Sequence, residues 1–141
     1  MILYLDTSAW VKLYVHEPGT RELRAQASKA EVLAASVVAY PEARAAFARL
    51  KAHGISTEVK HQQRLAQLNL DWENLLRIEL VPAVVRTAGD LAEVYALRGF
   101  DAIHLASALW LKEKTSAPLC FAVFDQRLRV AAERAGLVVV P

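Results

Sequence analysis

Four acidic residues define the chemistry open to this chain: Asp6, Glu42, Asp101 and Asp125. Asp6 closes the apolar run Ile2-Leu3-Tyr4-Leu5, and Asp125 closes Leu119-Cys120-Phe121-Ala122-Val123-Phe124. Glu42 and Asp101 lie in or just before strongly helical stretches. In a parallel α/β sheet the carboxyl ends of the strands and the adjoining helix starts line one crevice. Carboxylates gathered there repel one another, and the usual physical remedy is a hard cation, Mg²⁺ or Mn²⁺. Taken singly, each aspartate serves equally well as a helix cap. Glu42 alone serves equally well as a residue at the margin of an apolar helix face, its carboxylate reaching water. Assigning all four to one edge of one sheet shifts the balance to a metal site.

The elements that must position these groups alternate along the chain. Short apolar runs predict strands over 2–5, 32–35, 78–81, 119–124 and 137–140. Helical spacing predicts helices over 8–14, 18–30, 38–51, 56–72, 82–98, 102–114 and 126–135. In 38–51 the inward positions are Ala39, Ala43, Ala46, Phe47 and Leu50, with His53-Gly54 marking the end; in 56–72 they are Val59, Leu65, Leu68 and Trp72. This alternation argues for a mostly parallel sheet covered on both faces. No linker, low-complexity tract or repeat divides residues 1–141, which are expected to form one domain.

Bulk properties narrow the class. Hydrophobic residues make up 55% and charged residues 23%, which excludes a disordered chain. The N-terminus lacks a basic region and a small-residue cleavage site, and no apolar run is long enough for a membrane span, so a cytoplasmic protein is expected. The lone Cys120, in an apolar run, is expected to be a buried inert thiol in a reducing compartment. There are 17 basic and 15 acidic residues; setting aside the four candidate ligands leaves 11 acids and a net charge of +6. A mildly basic shell around a neutralised acidic pocket suits a polyanion, although charge alone favours scattered solvated residues.

Four segments resemble the PIN-domain family, and within it the VapC-type toxin ribonucleases: Tyr4-Leu5-Asp6-Thr7-Ser8-Ala9, Ala39-Tyr40-Pro41-Glu42-Ala43-Arg44, Arg98-Gly99-Phe100-Asp101-Ala102-Ile103-His104-Leu105-Ala106-Ser107-Ala108, and Phe124-Asp125-Gln126-Arg127-Leu128. The resemblance implies a three-layer α/β/α fold with a five-stranded sheet of order 3-2-1-4-5. It implies that Asp6, Glu42, Asp101 and Asp125 form a catalytic Mg²⁺ or Mn²⁺ pocket, with Ser8 supporting Asp6. It further implies an RNA substrate, tRNA or ribosomal RNA, and a VapB-type antitoxin as partner. Many members carry Thr or Ser where this chain has Val123, which removes polar help at that position.

Such a site would hydrolyse a phosphodiester through metal-activated water. Asp6 and Asp101 are then the main ligands; Glu42 or Asp125 accepts the water's proton. Two alternatives stand beside the toxin: a PIN-type nuclease of RNA processing, and a non-catalytic Mg²⁺-binding α/β module. The second is weakened because the first strand ends in a single aspartate and no suitably placed lysine follows a later strand; a phosphatase or NTPase is disfavoured because no glycine-rich phosphate loop is present. His104, one turn beyond Asp101, is expected to pack beside the helix start. Arg44, Arg49, Lys51, Lys60, His61 and Arg64 offer phosphate contacts or a solvated face. At least two of Trp10, Trp72 and Trp110 are expected to pack in the core or an interface. The alanine- and leucine-rich helices leave apolar surface for a homodimer or a partner helix.

Overall fold

The central strand is the most fully buried one. In the computed structural model, which describes all 141 residues, β1 (Ile2–Leu5) is buried at every position. A strand buried on both faces has no need to alternate polar and apolar residues. Ile2 and Tyr4 enter one core, and Leu3 and Leu5 the other. β1 pairs in parallel with β2 (Val32–Ser36) on one side and with β4 (Leu119–Ala122) on the other. β3 (Leu76–Ile78) flanks β2 and β5 (Val138–Val140) flanks β4, so the all-parallel sheet has the order β3-β2-β1-β4-β5 expected from the sequence.

Helices cover both faces. α1 (Thr7–Lys12), α2 (Thr20–Ala27), α3 (Ala39–Ala52) and α4 (Glu58–Asn74) close the core around Leu3, Trp10, Leu23, Phe47 and Leu68. α5 (Pro82–Tyr95), α6 (Gly99–Lys114) and α7 (Gln126–Arg134) close the core around Tyr4, Val84, Leu105, Phe121 and Leu128. No helix is long and apolar enough to cross a membrane.

The sheet is wound outward from β1 through β2 to β3, and then restarts at β4 on the far side of β1. The crevice beyond the carboxyl ends of β1 and β4 is therefore a topological switch point, where open α/β sheets place their ligands. Asp6 follows β1, and Asp125 follows β4 after two intervening residues.

Several boundaries differ from those the sequence suggested. The third strand lies at Leu76–Ile78 rather than 78–81, because Ile78 is its last register partner, opposite Ser36. Glu79 and Leu80 are exposed, and Pro82 opens α5. α6 begins at Gly99, not residue 102, so Asp101 sits inside the first turn rather than at the cap. Val59 is 67% exposed; His61 is the buried residue of that α4 turn. Cys120 is a free thiol but only half-buried.

Candidate active site

Two of the four carboxylates are fixed by the helices that follow their strands. Asp6 is the N-cap of α1: its Oδ1 accepts the Ala9 N–H at 2.8 Å, and both its oxygens accept the Ser8 hydroxyl at 3.0 and 3.2 Å. Asp125 caps α7 in the same way, accepting the Leu128 N–H at 2.9 Å. Capping and site-building are thus the same geometry here, because a cap at the end of a strand already points into the crevice. Asp101 enters from the first turn of α6 and Glu42 from the first turn of α3. All four acids, with Ser8, line one cavity of about 610 Å³.

The environments of these acids differ. Asp6 is 4% exposed. Burial pushes its carboxyl above the usual carboxylate range; His104, the Ala9 N–H and Ser8 oppose the shift, and Asp101 adds to it. Burial and the neighbouring Asp125 likewise raise Asp101, against the pull of His104 and Arg98. Glu42 goes the other way. Burial pushes it up, but hydrogen bonds from His104 and Thr7 outweigh that and hold it below the usual range. The cavity therefore contains two carboxyls that resist ionisation and one that is held ionised.

A chain of hydrogen bonds accounts for the ionised glutamate. Glu42 Oε1 accepts the Thr7 hydroxyl at 2.6 Å and the His104 Nε2–H at 2.9 Å. Thr7 Oγ1 also lies 3.0 Å from Nε2, where it can share that proton. On the other side of the ring, Tyr4 Oη stands 3.2 Å from Nδ1. Burial raises the Tyr4 phenol well above its ordinary pKa, so it remains protonated and pairs with the ring as a hydroxyl. Both bonds to Glu42 fall on Oε1, which leaves Oε2 without a protein partner.

The sequence did not disclose this network. His104 packs beside the start of α6 as expected, at 2% exposure, but it also binds Glu42 from across the crevice. Its position one turn after Asp101, on the same helix face, was the available signal. Thr7, Glu17, Arg49, Arg98 and Phe100 also line the cavity. Glu17 is a fifth carboxylate, paired with Lys12 at 2.8 Å. Among the basic residues of α3 and α4, only Arg49 reaches the cavity. Arg44 lies over the Tyr40 ring, Lys51 pairs with Glu58, Arg64 binds Ser56, and His61 is buried. Trp10 is buried, its ring 5.7 Å from that of half-buried Trp72; Trp110 is half-buried. Val123 is fully buried in the core behind β4, so its side chain contributes nothing to the crevice.

The donors suit a hard cation in kind. They are carboxylate and hydroxyl oxygens, and the Asp6 and Asp101 carboxyls are raised chiefly by burial, with a neighbouring acid adding to it. No three His, Cys, Asp or Glu side chains converge closely enough to form a complete ligand cluster. Mg²⁺ does not require one: it commonly takes one or two carboxylates and keeps several waters. The residues therefore fit a partly hydrated ion and do not fit an all-protein cage.

Comparison with known proteins agrees with the geometry. A family model described as PIN domain matches residues 3–134. Ribonuclease VapC45 of Mycobacterium tuberculosis is 39% identical over 144 aligned residues, covering 99% of this chain and 95% of that protein. Among solved structures, M. tuberculosis VapC20, a sarcin–ricin loop cleaving toxin, superposes with a TM-score of 0.65 at 18% identity, covering 96% of each chain. A chain from a toxin–antitoxin complex of Klebsiella pneumoniae superposes at 0.63 and 18% identity, covering 99% of this chain and 96% of that one.

Proposed function

The chain belongs to the PIN-domain family, and on that premise we propose that it is a single-domain, Mg²⁺- or Mn²⁺-dependent endoribonuclease acting as the toxin of a toxin–antitoxin pair. The observation that carries the reading is the convergence of Asp6, Glu42, Asp101 and Asp125 on one cavity at the switch point of the sheet. The 39% identity to a VapC ribonuclease supports RNA as substrate. Similarity to a chain from a toxin–antitoxin complex supports a VapB-type antitoxin as partner.

Asp6 and Asp101 would hold the ion, directly or through water, because theirs are the carboxyls whose charge is least compensated by protein groups. When bound, a divalent ion supplies charge neutralisation at the phosphate and acidifies a water. Glu42, kept ionised and oriented by His104 and Thr7, offers its free Oε2 to the attacking water as hydrogen-bond acceptor. Ser8 holds Asp6 in place. Exposed Asp125 completes the negative rim, and its α7 cap fixes where it stands. Attack by water would leave a 5′-phosphate and a 3′-hydroxyl. A substrate with 2′-deoxyribose at the cut nucleotide should still be cleaved; if it is bound but not cut, the 2′-hydroxyl is the nucleophile instead.

The deciding experiment incubates purified protein with pooled tRNA and ribosomal RNA in Mg²⁺, Mn²⁺ or EDTA, with Asp6→Asn as contamination control. Cuts at a few sites that need metal and disappear in the variant support the reading. Absence of cleavage under every metal, in protein shown to be folded, would overturn it. Co-expression with the product of an adjacent small gene tests the toxin role: growth arrest relieved by that product is expected.

A further inference from the structure

Phe100 is out of place as a structural residue. It is 56% exposed, while every other Phe, Tyr and Trp of the chain is buried or half-buried. It lies in the first turn of α6, immediately before Asp101, and its side chain forms part of the cavity wall. The flanking Gly99 is exposed, and a Cβ built there would meet nothing within 4 Å, so the approach to the ring is open.

Two cations also line the cavity. Arg98 precedes the turn that carries Phe100, and Arg49 projects from α3, two turns beyond Glu42. Both are exposed, and neither forms an ion pair within the chain. An acidic cavity repels a phosphate chain, so a nucleic acid entering it needs cations to either side of the acids. A solvent-facing aromatic ring between such a cation and the acid cluster has the composition of a single-strand site, where guanidinium groups follow the backbone and a base stacks on the ring.

We propose that Phe100 is the stacking platform for a nucleobase next to the scissile phosphate, with Arg98 and Arg49 holding the phosphates that flank it. This rests on the ribonuclease reading and narrows its substrate. Bases inside a duplex have both faces occupied by their neighbours, so only an unpaired nucleotide can stack on Phe100. The cut site is then in a loop, a bulge or a single strand.

The test uses the full chain carrying Asp6→Asn, which blocks cleavage, and a short single-stranded oligoribonucleotide with a central 2-aminopurine. Stacking quenches 2-aminopurine, so binding should lower its fluorescence. Adding Phe100→Ala should abolish the quench and weaken binding about tenfold or more, with an unchanged melting temperature because the ring is exposed. Phe100→Trp should restore both. Arg98→Ala should weaken binding and flatten its salt dependence while leaving the quench of bound RNA intact. Annealing the complementary strand should remove the Phe100 effect. If Phe100→Ala binds with undiminished affinity and quench, the proposal is wrong and the nuclease reading stands. If the Asp6→Asn protein binds no RNA, the proposal is wrong, and metal-dependent cleavage by the unmutated protein decides the nuclease reading separately. If Phe100→Ala disrupts only self-association or a protein complex, the ring is a protein contact and the proposal is again wrong.

Discussion

Glu42 and His104 lie 62 positions apart in the chain and meet at 2.9 Å between Oε1 and Nε2. The contact joins α3 to α6 across the mouth of the crevice and holds one carboxylate ionised beside two that resist ionisation. Its removal should affect turnover more than fold. His104→Leu deletes the donor to Glu42, and the loss of support behind a metal-site residue should reduce kcat roughly 10- to 100-fold with little change in KM. His104→Gln, which retains an N–H donor, should recover part of that loss. Equal kcat for the Leu variant and the parent would show that the contact serves packing alone.

The acid pocket should weaken the apo fold near neutrality. Folding raises the pKa values of Asp6 and Asp101, so their stabilising contribution is present below the unfolded carboxylate value of about 4 and disappears as pH rises through the raised folded values. With EDTA present, Asp101→Asn should melt higher than the parent at pH 7, and the difference should vanish in acid below the unfolded value. Asp6→Asn should follow the same trend, since asparagine retains a capping oxygen. Glu42 has the opposite sign: its contribution is present above the unfolded value and is lost as pH falls through the lowered folded one. Glu42→Gln should therefore destabilise at pH 7. Melting curves from acid to neutral pH resolve both signs, and a lower apo melting temperature for Asp101→Asn would contradict the crowding argument.

Divalent ions should reverse that penalty. An ion that binds only the folded protein stabilises it by about 2.7 kcal/mol at a hundredfold excess over its Kd. Titration with Mg²⁺ or Mn²⁺ should raise the melting temperature of the parent and fail to raise that of Asp101→Asn. Equal responses in the two proteins would assign the ion to another place.

Gly19 links a distant helix cap to the site. It has φ of +92°, and a Cβ there would lie 2.5 Å from Phe124 Cε1, in the residue just before Asp125. Gly19→Ala should destabilise by about 1–3 kcal/mol through backbone strain. Because the ring must move to admit the methyl, cleavage should also fall. Denaturant melts and a cleavage assay on the same preparation measure both effects, and a wild-type rate would show that Phe124 yields without moving Asp125.

The strands and the crevice were legible in sequence because each rests on local pattern: apolar runs, helical spacing, and acids at element ends; the order of the strands came from the family resemblance, since no local pattern encodes it. Asp6 and Asp125 could be read as caps or as site residues, and they occupy both positions at once. The network of Tyr4, Thr7, Glu42 and His104 was not legible, since it depends on side chains from four elements meeting and no spacing encodes that. The misplaced β3 has a similar origin. Residues 78–81 look like a strand by composition, but pairing with β2 is exhausted at Ile78. Val59 satisfied the helical period yet faces water, because α4 rests on the molecule through His61 and Leu68.

The position of β1 also governs when the crevice can exist. The earliest-made of the five strands is the middle of the sheet, and one of its two partners, β4, starts at Leu119. Asp125 follows later still. Non-local pairing of this kind must await the distant segment. A nascent chain therefore has no complete pocket until Asp125 has been made, and fragments that end before it lack one wall. The order of the strands ties assembly of the site to the arrival of β4 and α7, long after β1 has been made.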